Sequence, residues 1–107
     1  MTKINLTNNT NLQTLKLTNL PNLTSDNLIL TGCNSLYQLE IVNCPQLSSI
    51  DLTAIPGLKT VIIDNCDTLS SFTCNEHKKL ESLTISNCDN LETVSLKKSV
   101  LVTLGLG

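Results

Sequence analysis

Apolar and polar residues alternate in short bursts along this chain, and the bursts recur at a fixed interval. Aligned on a recurrent Leu at Leu12, Leu23, Leu36, Leu47, Leu58, Leu69, Leu80 and Leu91, the chain divides into units of 11 residues, with one unit, Thr24 to Leu36, two residues longer. The third position of successive units reads Ile4, Leu15, Leu28, Leu39, Ile50, Val61, Phe72, Leu83, Val94, and the fifth Leu6, Leu17, Leu30, Ile41, Leu52, Ile63, Cys74, Ile85, Leu96. The second, fourth and sixth positions are mostly polar, a period of two that predicts a short strand with one face inward. Positions seven to ten carry Asn, Pro, Gly, Asp and Ser, the residues of tight turns. Each unit therefore reads as strand, turn, inward Leu, and the extra pair Thr24-Ser25 as a bulge in one loop.

The units alternate in kind. Those beginning at Gln13, Tyr37, Lys59 and Glu81 carry Asn19, Asn43, Asn65 and Asn87 at the seventh position, whereas Gly32, Ala54, Glu76 and Lys98 stand there in the others. The true repeat is thus 22 residues, marked by Ile41-Val42-Asn43-Cys44, Ile63-Asp64-Asn65-Cys66 and Ile85-Ser86-Asn87-Cys88. Fixed self-similarity of this length signals a solenoid, in which one coil cannot bury its own apolar face. The expected architecture is mainly β: a single domain spanning residues 1–107, about five coils of 22 residues, two short parallel strands per coil and one sheet on each side. Asn43, Cys44, Asn65, Cys66, Asn87 and Cys88 are expected to be structural corners, with the amides buried and bonding backbone groups of neighbouring coils.

The run Leu12-Gln-Thr-Leu15-Lys-Leu17-Thr-Asn19-Leu20 resembles the LxxLxLxxNxL signature of leucine-rich repeats, with one residue fewer before the Asn. Cys44-Pro-Gln-Leu47-Ser-Ser-Ile50-Asp-Leu52 and Cys88-Asp-Asn-Leu91-Glu-Thr-Val94-Ser-Leu96 are more similar to the CxxLxxIxL of the cysteine-containing BspA-type repeats. For function the resemblance implies a binding or structural protein and no chemistry. The second half of each coil departs from the helix many members place there: Asp51-Leu52-Thr53 and Thr73-Cys74-Asn75 are too short and too polar or β-branched for one.

Composition narrows the partners. With 40% hydrophobic residues but only one Tyr, one Phe and no Trp, the core must be aliphatic. A net charge of −2, with seven Lys and no Arg, leaves neither a basic stripe nor stacking platforms for nucleic acid. No apolar stretch approaches the ~18 residues of a membrane span, and no export signal is visible. The five cysteines lack paired CxxC spacing and follow the repeat, so they are expected to be free, buried hydrophobes, which favours a reducing compartment.

Candidate chemistry is sparse. His77, the one histidine, lies in the charged turn Asn75-Glu76-His77-Lys78-Lys79 without a nameable partner, and Asp67 and Asp89 share a corner as turn residues. No cofactor or metal is expected, and no enzymatic activity. What remains is surface: the outward positions of one sheet differ from layer to layer, and Tyr37, Gln38, Glu40, Val42, Thr60, Ile62 and Asp64 form the candidate protein-binding face. The expected function is a non-enzymatic recognition or structural module that binds a protein through this face, or self-associates through terminal coils with no recognisable caps. The alternative is a hydroxyl-array binder of ice or carbohydrate, although the sixth position, Thr7, Thr18, Thr31, Val42, Thr53, Asp64, Asn75, Ser86, Lys97, loses its Thr row midway.

Overall fold

A computed structural model of the chain describes residues 3–53, 55–75, 78–96 and 103–106. Ten strands follow in order: β1 Ile4–Asn5, β2 Thr14–Thr18, β3 Leu28–Ile29, β4 Gln38–Val42, β5 Ser49–Asp51, β6 Thr60–Asp64, β7 Ser71–Thr73, β8 Ser82–Ser86, β9 Thr93–Ser95 and β10 Thr103–Leu106. Even-numbered strands stack in parallel as one wall, β2-β4-β6-β8-β10, and these five layers delimit about four full turns of a β-solenoid. Its extents are 30 × 29 × 17 Å, a flattened body.

Register follows the repeat. Leu15, Leu39, Val61 and Leu83 pair in one row and Leu17, Ile41, Ile63 and Ile85 in the next. Leu104 and Leu106 continue both rows in the register of β10 with β8. Identical offsets are obligatory here, because a slip of one residue would turn every aliphatic side chain outward. Leu23, Leu36, Leu47, Leu58 and Leu69, at 0% exposure, plug the coil from the turns. Phe72, the one aromatic of the core, lies two residues from Cys74, so a large and a small side chain fill adjoining places in that layer.

Both kinds of corner close through short turns. The amides of Leu23, Leu47, Leu69 and Leu91 donate to the carbonyls of Leu20, Cys44, Cys66 and Cys88 at 3.0–3.3 Å, which brings each Leu inward. Ahead of these turns Asn19, Asn43, Asn65 and Asn87 adopt left-handed backbone, φ 58, 56, 55 and 54°. Asn tolerates this region far better than other side chains. Their amides also extend the ladder: Asn19, Asn43 and Asn65 N–H donate to the carbonyls of Val42, Asp64 and Ser86, each at 3.0 Å. The opposite corner obeys the same rule at its start, with Asn8 at φ 64° and Gly32 at 86°. A side chain on Gly32 would meet Asn8 Oδ1 at 2.5 Å, so the first two coils specify glycine there twice over.

The odd-numbered strands do not form the single sheet expected. They divide into β1-β3 and β5-β7-β9, with no pairing between β3 and β5. The cause is the two extra residues, which make more than a bulge: Ser25–Asn27 form a 3-10 turn immediately before β3. The Ser25 hydroxyl replaces the lost ladder, donating to the Ser49 carbonyl at 2.8 Å and accepting from the Ser49 N–H at 2.9 Å.

Candidate functional site

The continuous wall carries the candidate face. Pairing aligns Thr14, Gln38, Thr60 and Ser82 in one outward row, Lys16, Glu40, Ile62 and Thr84 in the second, and Thr18, Val42, Asp64 and Ser86 in the third. Val42 and Ile62 are therefore diagonal neighbours, in different rows. Tyr37 precedes β4, five residues before Val42, or roughly 17 Å along an extended strand. It is the one large hydrophobic exposed among the described residues, at 39%. The register thus gives the face a Tyr at one rim and an aliphatic diagonal toward the other.

Two of its charged residues already have partners. Lys16 Nζ lies 3.7 Å from Glu40, an exposed pair of the kind that contributes about 0–1 kcal/mol. Asp64 Oδ1 accepts from Ser86 Oγ at 3.0 Å and from Asn87 Nδ2 at 2.8 Å, so its carboxylate ties one coil to the next. Gln38, Thr60, Val42 and Ile62 present the remaining variable surface, all half-buried by their neighbours.

The corner residues are assembled differently from expectation. Asn19, Asn65 and Asn87 are exposed and Asn43 half-buried, so these amides do not satisfy a buried bend. They bond one another: Asn43 Nδ2 donates to Asn19 Oδ1 at 2.8 Å, and Asn65 Nδ2 donates to Asn43 Oδ1. The chain of amides ends at Asn87, which turns to Asp64 instead. Beside it runs an open groove of about 420 Å³ lined by Asn19, Asn43, Asn65, Pro21, Pro45 and Asp67. The recurring Asn-x-Pro of Asn19-Leu20-Pro21 and Asn43-Cys44-Pro45 was the sequence signal for this groove.

Cys44 and Cys66 are buried and Cys88 half-buried, and each thiol points at the carbonyl two residues earlier: Val42 and Asp64 at 3.7 Å, Ser86 at 3.3 Å. All five cysteines are free. Burial raises the thiols of Cys44, Cys66, Cys74 and Cys88: that of Cys66 to about 11 by desolvation, against a backbone hydrogen bond from Cys44, and that of Cys74 to about 12 by desolvation and the charge of Asp51. Such thiols are poor nucleophiles and poor metal ligands at neutral pH. Asp67 and Asp89 are exposed, and among the described residues no three His, Cys, Asp or Glu side chains gather as a metal site. His77 and Glu76 lie outside the described residues.

Comparison of the chain with family models, with curated proteins and with solved structures returns no match.

Proposed function

We propose that this chain is a leucine-rich-repeat-type solenoid acting as a non-enzymatic recognition or structural module for a protein partner. The observation that carries this reading is the contrast between the two sides of the continuous wall. Inward rows are uniformly aliphatic, whereas the outward rows vary, and the middle one changes chemistry at every layer, from Lys16 to Glu40 to Ile62 to Thr84. Uniformity holds a stack together; variation is what discrimination between partners requires. The same rows weigh against a hydroxyl array, since Val42 and Asp64 interrupt the row that Thr18 begins.

Terminal coils supply a second docking mode. Half-covered aliphatics that pack against the core gather in the first coil, as Ile4, Leu6, Leu12 and Leu15, and in the last described one, as Leu91, Val94 and Leu96. Among the described strands β2 pairs only with β4, and the edge of a sheet is a surface on which a partner's strand can add. Affinity capture followed by binding measurements on purified partner tests the two modes. A Gln38→Lys/Thr60→Lys variant that keeps its fold should lose a partner held by the sheet face. Equal affinity in this variant and in one altered at Tyr37 and Ile62 would rule the face out.

A further inference from the structure

The break between β3 and β5 opens the solenoid from the side. On the continuous wall the same coils are held by five register pairs, Thr14–Thr18 against Gln38–Val42, so they diverge only toward the divided wall and the gap is a wedge. Two adjoining lobes fill it, of about 260 and about 300 Å³. Both are lined by Ser25, Asp26, Leu28, Leu30 and Asp51. Their inner surface is aliphatic: Leu30 and Ile50 are buried at 8% and 5% exposure, Leu52 and Ile55 at 2% each. The rim is acidic, with Asp26 on the turn leading into β3 and Asp51 at the end of β5, both exposed.

We propose that this seam binds a cationic amphiphile, an aliphatic chain ending in an ammonium or guanidinium group, as a Lys or Arg side chain of a partner does. The identification with a protein side chain rests on the recognition reading above; the site itself does not. A β-strand is the wrong occupant, because the Ser49 N–H and carbonyl facing the gap are both taken by the Ser25 hydroxyl. A narrow unbranched chain needs no backbone partners and covers Leu28, which is half-buried where its counterpart Leu39 on the continuous wall is fully buried. Charge selects the head group. Two carboxylates across an aliphatic cleft repel an anion, would lose solvation beneath a neutral group, and attract a cation more strongly than in open water because the walls exclude it. The Thr53 N–H donates to Asp51 Oδ1 at 3.0 Å, which fixes that carboxylate at the rim.

The test is a titration of the whole ¹⁵N-labelled chain with n-hexylammonium, n-hexanol and hexanoate, followed residue by residue. Hexylammonium should shift Leu28, Leu30, Ser49 and Ile50, bind more weakly as salt rises, and bind about tenfold more weakly to the Asp26→Asn/Asp51→Asn variant, a loss of about 1.4 kcal/mol. Should that variant not fold, Asp26→Asn alone, on an exposed turn, should still weaken binding measurably. Equal affinity for hexanoate, shifts confined to the continuous wall, or no shifts would overturn the proposal. A lysine-containing tripeptide distinguishes the two claims: hexylammonium bound without the peptide upholds the site and removes its assignment to a protein partner.

Discussion

The hydroxyl of Ser25 bridges both backbone groups of Ser49, donating at 2.8 Å and accepting at 2.9 Å across a gap where a strand pair should stand. One side chain thereby closes the edge of β5 that the 3-10 turn has left open. Ser25→Ala should cost about 0.5–1.5 kcal/mol, the net contribution of a hydrogen-bonded bridge at an exposed edge. An unchanged urea midpoint would show that water replaces the hydroxyl without loss, and that the bridge is incidental.

The left-handed corners separate backbone from side-chain effects. Asn65 sits at φ 55° and donates to Asn43. Asn65→Ala should destabilise by about 1–2 kcal/mol from the left-handed backbone, with a further contribution from the broken amide ladder. Asn65→Gly, which loses only the ladder, should cost less. Equal losses for Ala and Gly would place the whole effect in the side-chain chain of amides.

Position in the stack sets the consequence of a core cavity. Leu69, fully buried between coils, should cost about 2–5 kcal/mol on replacement by Ala. Leu12 is only half-buried in the first coil, where local opening is cheap, and Leu12→Ala should cost distinctly less. Denaturation midpoints that fall equally would mean a single cooperative globule in place of a nearest-neighbour stack.

The thiols predict an alkaline limit. Cys66 and Cys74 are raised in the folded chain from an ordinary 9.0 to about 11 and about 12. A thiol whose folded value lies above its unfolded one stabilises the fold fully below about pH 9, and that stability drains away as pH climbs toward the folded values. Melting temperature should therefore drop between pH 9 and 11, and drop less in Cys74→Ala. All five thiols should react after unfolding without reductant, while Cys66 and Cys74 react slowly before it.

Much of this architecture was legible because solenoid rules are local. The alternation in Thr60-Val61-Ile62-Ile63-Asp64 specifies a strand, its inward face and, through the 22-residue repeat, its register with Gln38–Val42. Corner geometry was harder to read. An Asn recurring beside a Cys is compatible with a buried cap, and only the backbone torsion reveals that Asn43 is there for its left-handed φ. The outward positions of the candidate face are legible in the alternation, whereas the hold of Ser86 and Asn87 on Asp64 depends on side-chain contacts between coils that no pattern encodes. The divided wall was least legible. Thr24-Ser25 was visible as an insertion, yet whether two residues bulge outward or fold into a turn that parts β3 from β5 depends on Ser25 reaching Ser49 in the next coil, a contact 24 residues distant.

An aliphatic stack with one continuous and one divided wall is most directly tested by residue-resolved amide exchange. Ile29 and Thr31 carbonyls accept from Leu6 and Asn8 on one side, so the intervening Leu30 amide faces the seam. The Leu39 and Ile41 amides sit inside the unbroken wall. The fold predicts that Leu30 exchanges orders of magnitude faster than Leu39 and Ile41, although all three side chains are buried. Equal protection at the three positions would mean that β3 and β5 are paired in solution, with no seam for a ligand to enter.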